Sequence, residues 1–170
     1  MKARRRTRTT KPPQIEVIVR SARWRRTPTA KAIVRKAISA AAKAASTPRA
    51  ELAIVLANDS AIRALNRQWR GKNAPTNVLS FPAPASGKRR SKPPYIGDIV
   101  IAYETTKREA AAEGKPFNHH LSHLAVHGFL HLLGFDHHDV REATRMEQLE
   151  RRILARLRVP DPYAPRDAED

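Results

Sequence analysis

The sequence predicts an α/β fold in which about five helices pack on a small mixed sheet of about four strands. Apolar segments of strand length recur along the chain, and segments with apolar residues at helical spacing lie between them. Residues 121–133 form a third signal, because they are apolar on nearly every side and therefore predict a central, buried helix. The length of 170 residues and the 41% hydrophobic content suit one domain with one core.

Four segments have the alternating or continuous apolar pattern of strands, namely 14–20, 51–57, 77–81 and 99–102. Pro82 ends the third segment, because proline has no N–H to donate to a neighbouring strand. The fourth segment is apolar throughout, which is typical of a strand covered on both faces. We therefore expect it in the middle of the sheet.

Five helices are indicated by capping residues and helical periodicity. Their predicted starts are Thr27-Pro28, a cap at Asn58, Asp59 or Ser60, residue 104 (ending at 113), a cap at Asn118, and the capping pair Asp139 and Glu142. In the second helix Ile62, Leu65 and Trp69 are predicted to face the core, while arginines converge on its C-terminal end. Val140 is counted among the inward apolar residues of the last helix.

Three histidines of the buried helix and the turn after it predict a metal site. His127 and His131 are four residues apart and share one helix face. Gly134 can adopt positive φ and end the helix, so that His137 can return toward the other two. The spacing is that of metzincin ligands, and three nitrogens leave a fourth position open. The sequence thus predicts a zincin-like catalytic centre with one Zn²⁺ per chain and nitrogen–metal distances of about 2.0–2.1 Å.

Gly128 weakens the case for peptide hydrolysis. It occupies the place where H-E-x-x-H metallopeptidases carry the glutamate that acts as general base. A zinc metallopeptidase-like hydrolase is therefore kept only as an alternative. The chain has no cysteine, so thiolate metal sites and disulfides are excluded.

The charge distribution predicts a polyanionic partner, with nucleic acid the first choice. The formal net charge is +17, and the isoelectric point is about 11.3. Residues 1–13 contain six Lys or Arg and no acid, so we expect a disordered basic arm before a single catalytic domain at 14–160 and a flexible acidic tail at 161–170. The basic run 88–92 is predicted to lie in a loop that contacts RNA phosphates. No apolar run reaches the roughly 18 residues of a membrane span, which predicts a cytoplasmic protein with no membrane partner.

Three segments resemble signatures of the YbeY family of bacterial rRNA maturation factors. They are H-L-A-V-H-G-F-L-H-L-L-G-F-D-H at 123–137, N-R-Q-W-R-G-K-N-A-P-T-N-V-L-S-F-P at 66–82 and I-G-D-I-V-I at 96–101. The resemblance covers about residues 50–140 and implies a zinc-dependent, single-strand-specific endoribonuclease in rRNA maturation and ribosome quality control. It also implies single-stranded RNA or rRNA as substrate and the ribosome or its associated proteins as partners. A non-enzymatic ribosome-associated factor with structural zinc is a second alternative, and the oligomeric state is not predicted.

Arg70 and His127 are the predicted catalytic residues. Arg70 lies in the arginine-containing signature, and its guanidinium can bind two phosphate oxygens at once. His123 is left open as a fourth ligand, a proton shuttle or a buried structural histidine. Asp136 can orient an imidazole or simply turn the chain. Asp98 is expected to be a structural hydrogen-bonding residue, or an acid that supports a metal ligand, rather than a base. The remaining histidines are expected at the surface or at helix ends: His119, His120 and His138.

Overall fold

A four-stranded mixed sheet forms one layer of the molecule, in a computed structural model that describes residues 11–84 and 93–165. The strands are β1 (Gln14–Val19), β2 (Glu51–Ala57), β3 (Val78–Pro82) and β4 (Tyr95–Ala102), in the order β1-β2-β4-β3. β1, β2 and β4 are parallel, whereas β3 pairs antiparallel with β4. The predicted α/β class, the mixed sheet and the central place of the fourth strand are confirmed.

Six helices are present in the described part of the chain. They are α1 (Ala22–Arg25), α2 (Ala30–Ala44), α3 (Asp59–Arg70), α4 (Tyr103–Ala112), α5 (Phe117–Leu132) and α6 (Val140–Arg156). α1 was not predicted, because a single turn is too short to show a periodic pattern. α5 contacts α2, α4, α6, β3 and β4, so its apolar residues are buried on all sides as predicted.

Two of the predicted helix caps are present and one is wrong. The Asn58 side chain accepts a hydrogen bond from the Ala61 N–H, and Asp139 accepts one from the Glu142 N–H. The metal-site helix does not begin with a cap at Asn118, however. It begins after Pro116, whose carbonyl accepts from two N–H groups of the first turn, so Asn118 is already helical.

Trp69 and Val140 were predicted to face the core, but both are exposed, with exposed fractions of 65% and 84%. The inner face of α3 runs through Ile62 and Asn66, which are four residues apart and both buried. Trp69 lies seven residues after Ile62 and therefore leaves the helix axis in nearly the same direction, but it belongs to the last turn of α3, where residues 67–70 are all exposed. Its indole instead contacts Phe81 edge-on, with ring centroids 6.2 Å apart.

Reciprocal hydrogen bonds join the N-termini of α3 and α4. The Asp59 carboxylate accepts from the N–H and hydroxyl of Thr105 at 3.0 and 2.7 Å, and Glu104 accepts from the Asp59 N–H at 2.9 Å. Burial raises the pKa of Asp59, but Arg108 and Thr105 outweigh it and leave the pKa below its ordinary value. This junction fixes α3, whose other end carries Arg70.

Several predictions fall on parts of the chain outside the described residues. These parts are 1–10, 85–92 and 166–170, which include most of the basic arm, the basic run and half of the acidic tail. The predicted domain boundaries stay predictions, although Asp161 pairs with Arg151 and the Tyr163 hydroxyl donates to Glu150. Within the described ranges, no helix combines the length and apolar character needed to cross a bilayer.

Candidate active site

The end of α5 and the turn after it bring three imidazoles together. His127 and His131 lie on successive turns of the helix, and Gly134, at φ 92°, lets the chain reverse after Leu132. One ring nitrogen from each of His127, His131 and His137 can be chosen so that all three lie within 4.8 Å of one another. The structure therefore gathers the three histidines predicted from their spacing.

The donor atoms of this cluster fit a divalent metal ion. The Nε2 atoms of His127 and His131 are 3.0 Å apart. Two nitrogens bound to one tetrahedral ion at about 2.05 Å would lie about 3.3 Å apart. The Nδ1 atom of His127 is 2.5 Å from the Glu150 carboxylate, so it carries the proton and leaves the Nε2 lone pair free to bind a metal.

Glu150 lies against the histidine cluster and was not predicted from the sequence. It lies on the buried face of α6 with no exposed surface, and its carboxylate accepts hydrogen bonds from His127 and from the Tyr163 hydroxyl. Burial raises the pKa of Glu150, but its interactions with His123 and His127 outweigh burial, and the pKa lies well below the ordinary range. A charged residue between Leu149 and Ile153 on an otherwise apolar face was the available signal.

The protonation of His131 also suits a ligand. Burial lowers its pKa, and the positive charges that His127 and His137 would carry lower it further. The hydrogen bond to the Phe135 backbone acts in the opposite direction but is outweighed. The neutral imidazole, which is the form that binds a metal, is therefore favoured.

Arg70 lines the same cleft as the three histidines. This cleft has a volume of about 580 Å³, and Ser80 and Pro82 of β3 form part of its wall. Gly71, at φ 69°, ends α3 directly after Arg70 and so places the arginine at the helix terminus. A fixed positive charge and a cluster of metal-binding nitrogens thus face one space, an arrangement suited to holding a phosphate.

The other polar candidates have different surroundings. Asp136 accepts from the His137 N–H at 2.6 Å, a bond that lowers its pKa, and it pairs with the exposed His138 at 2.6 Å. It therefore shapes the turn that carries His137. Asp98 accepts from the Tyr95 hydroxyl, in agreement with the structural role expected for it. Burial and this bond raise the pKa of Tyr95.

Two further histidines of α5 lie beside the cluster. His120 lies in the first turn of α5, in agreement with the expected surface or helix-end position, but its side chain is only 6% exposed and its Nε2 is 2.7 Å from Glu109. The burial was not predicted, because it depends on the packing of α4 against α5. His123 is partly buried, with Nε2 3.7 Å from Glu150 and the ring edge-on to His127. It lies beside Glu150, on the far side of His127 from the proposed metal.

Gly128 allows α5 to approach the sheet closely. A Cβ atom at this position would lie 2.8 Å from Ile99 Cγ2 and 3.2 Å from Ser80 Oγ. The Ser80 hydroxyl donates to the Gly128 carbonyl at 2.9 Å, which fixes the contact between helix and strand. The glutamate of the H-E-x-x-H motif is thus absent at a position that has no room for any side chain.

We expect Gly128→Ala to lower the free energy of unfolding by about 1–3 kcal/mol, because the added methyl overpacks the interface between α5 and β4. Chemical denaturation of both proteins measures the difference. The sign of this difference in the free energy of unfolding shows whether the methyl group is obstructed, since alanine in an unobstructed helix stabilises by about 1 kcal/mol relative to glycine. A more stable variant would show that the helix has room at this position.

Fold and cleft together define an α/β protein with a triple-histidine site, suited to a divalent metal, beside an arginine that faces the same cleft. The family model described as Endoribonuclease YbeY matches residues 18–158. The chain therefore belongs to the YbeY family.

Relatives of known name extend over nearly the whole chain. A protein of Rhodopseudomonas palustris (strain BisA53), named Endoribonuclease YbeY, is 57% identical, and the match covers 94% of this chain and 95% of the relative. A protein of the same name from Bradyrhizobium diazoefficiens is 52% identical, and the match covers 91% of this chain and 87% of that relative. The solution structure of TM1509 from Thermotoga maritima matches with a TM-score of 0.50 at 21% identity, covering 92% of this chain and 99% of that one. This last likeness supports the fold alone.

Proposed function

We propose that this chain is a zinc-dependent endoribonuclease that cleaves single-stranded RNA during rRNA maturation and ribosome quality control. The observation that carries the proposal is the cleft in which Arg70 faces the His127, His131 and His137 cluster, in a member of the YbeY family. The relatives' name, Endoribonuclease YbeY, supports hydrolysis of a phosphodiester bond in RNA.

The chain's own residues divide the work of catalysis. His127, His131 and His137 would hold one zinc ion, which when bound supplies a water of pKa about 7 or polarises a phosphoryl oxygen. Glu150 keeps the His127 proton on Nδ1 and so keeps Nε2 available to the metal. Arg70 would hold the scissile phosphate and offset the charge that develops on its oxygens.

The two alternative functions have less support. Peptide hydrolysis would need a general base in place of Gly128. Glu150 cannot supply it, because one carboxylate oxygen accepts a hydrogen bond from His127 Nδ1 and the other accepts one from the Tyr163 hydroxyl. A purely structural zinc is disfavoured because three histidine ligands would leave one position open, and all three histidines line the cleft. The net charge of +17 supports an RNA substrate and contact with the ribosome, and these partners favour a cytoplasmic location.

We expect the purified chain to hold one zinc ion and to cleave single-stranded RNA but neither duplex RNA nor casein. His137→Ala should lose most of the metal and the cleavage, because one of three ligands is gone. Metal analysis and gel assays on the same samples measure both.

His138→Ala is the matched control, because it removes the adjacent histidine, whose side chain is 85% exposed and pairs with Asp136. It should retain zinc and activity. Casein hydrolysis without RNA cleavage would replace the proposal with the peptidase alternative. Unfolding on zinc removal, with no RNA cleavage by the zinc-loaded chain, would favour the structural role.

A further inference from the structure

A second pocket adjoins the cleft on the other side of His127. Its volume is about 370 Å³, within the range of small-molecule sites, and its lining includes Asn77, Glu109, His120, His123, Leu124 and Tyr163. We call it the lateral pocket. Asn77, Val78 and His127 line both the lateral pocket and the cleft, so the two spaces meet at the metal-site histidine.

The lateral pocket contains a buried hydrogen-bonding atom for which no partner is found among the described residues, Nδ1 of His120. Nε2 of His123 also has no hydrogen bond there, although it lies 3.7 Å from the Glu150 carboxylate. The His120 Nε2 atom is 2.7 Å from Glu109, and a carboxylate can only accept, so Nε2 carries the proton. In the neutral imidazole this leaves Nδ1 as an acceptor. Native proteins rarely leave such atoms unsatisfied, which points to a ligand that donates hydrogen bonds.

The lateral pocket has an excess of acidic residues, whereas the cleft is lined by one arginine and one aspartate besides its three histidines. Its lining includes Glu109, Glu113 and Asp161 but one basic residue, Lys115, whose ammonium is 2.6 Å from Glu113. A phosphate is therefore repelled here and attracted beside Arg70. Glu109 Oε2 already accepts from Asn77 and His120, whereas no hydrogen bond to Oε1 is found in the described residues. This oxygen is available to an amino group.

We propose that the lateral pocket binds the base of a nucleotide next to the scissile phosphate and prefers bases with an exocyclic amino group to uracil. The proposal rests on the proposed function, because it takes the phosphate in the cleft as the point of attachment. The acceptors on Glu109 and His120 match an amino donor, whereas uracil presents a carbonyl oxygen at the position where cytosine carries its amino group. Leu124, Val78 and the ring of Tyr163 provide apolar wall for the face of the base.

Binding and cleavage specificity test this proposal on the zinc-loaded chain. Hexamers of deoxycytidine and deoxyuridine, which lack the 2′-hydroxyl of RNA, are titrated by fluorescence anisotropy, and cut sites are mapped on an RNA of mixed sequence. We expect about fivefold tighter binding of the cytosine hexamer, as for one additional hydrogen bond. We also expect cut sites to lie beside C, A or G more often than beside U.

Two variants should abolish the preference by different routes. Glu109→Gln replaces one acceptor carboxylate by an amide, and Glu16→Gln makes the same change at an exposed position of β1 as its control. Ala164→Trp places an indole at the mouth of the pocket without altering the groups inside it, and Ala164→Ser is its control. Because Ala164 is exposed, the tryptophan variant gives a result even if Glu109→Gln lowers the thermal midpoint.

Equal affinity for the two hexamers together with cut sites independent of the base would overturn the base pocket. So would a cytosine preference that survives Ala164→Trp, because the base would then be recognised elsewhere. If the chain cleaves RNA but shows neither the cytosine preference in binding nor the base preference in its cut sites, the base pocket is rejected and the proposed function stands. If the chain prefers cytosine, loses this preference in Ala164→Trp, and yet cleaves no RNA, base binding is supported and the proposed nuclease activity is rejected.

Discussion

Arg70→Ala is expected to lower the rate of RNA cleavage at saturating substrate by about 10²–10³-fold, the usual cost of losing one group that stabilises transition-state charge. Arg70 lines the cleft with the three histidines. A guanidinium can donate two parallel N–H groups to one phosphate. Arg70→Lys should recover little of the rate, because an ammonium group retains the charge but not the paired geometry. Single-turnover assays with excess enzyme measure these rates.

Arg67→Ala is the matched control for Arg70→Ala. Arg67 lies on the same helix, and removing it changes the net charge equally, but it lines a separate surface recess with Arg63. It should leave the cleavage rate within about threefold of wild type, since exposed charges contribute little to a distant site. Zinc content and thermal midpoint must match wild type in all three variants. A folded, zinc-loaded Arg70→Ala protein with near-normal rate would reduce Arg70 to a surface residue.

Glu150→Gln is expected to weaken zinc binding by about 10–100-fold, because it removes the carboxylate that orients His127 and raises its basicity. Glutamine keeps nearly the same shape, so the effect reports the charge of the hydrogen-bonding partner. Tyr163→Phe should weaken zinc binding less, since it removes only the bond to the second carboxylate oxygen and leaves His127 paired. Competition with a chromophoric chelator gives the zinc affinities.

Glu147→Gln, three residues earlier on α6, controls for the loss of a negative charge near the site. No hydrogen bond or ion pair of the Glu147 side chain is found in the described residues, so we expect an affinity close to wild type. If Glu150→Gln bound zinc as tightly as this control, the Glu150–His127 bond would have no part in tuning the metal. The unfolding free energy without zinc separates a metal effect from a packing effect, because Glu150 is fully buried.

The sequence was informative wherever local chemistry determines the structure. β2 was predicted at its observed bounds because six apolar residues follow Glu51 without interruption. The caps at Asn58 and Asp139 were predictable because each bond joins residues three apart. The convergence of the three histidines followed from helical spacing and one glycine, since no distant contact is needed to bring them together.

Tertiary structure alone decided which side chains complete the site. Glu150 is 23 residues from His127, and His120 is 11 residues from Glu109, so only the packing of α6 and α4 against α5 reveals these pairs. Trp69 is exposed although helical spacing brings it close to Ile62 around α3, because it lies in the last turn, and only the tertiary structure determines how much of that turn is covered. The sequence by itself determined that four strand segments are present, the caps at Asn58 and Asp139, and the histidine cluster, because hydrogen bonds and helix periodicity act over a few residues. The partners of those histidines were decided by the fold, because burial and ion pairing depend on distances in space between residues that are remote in the chain.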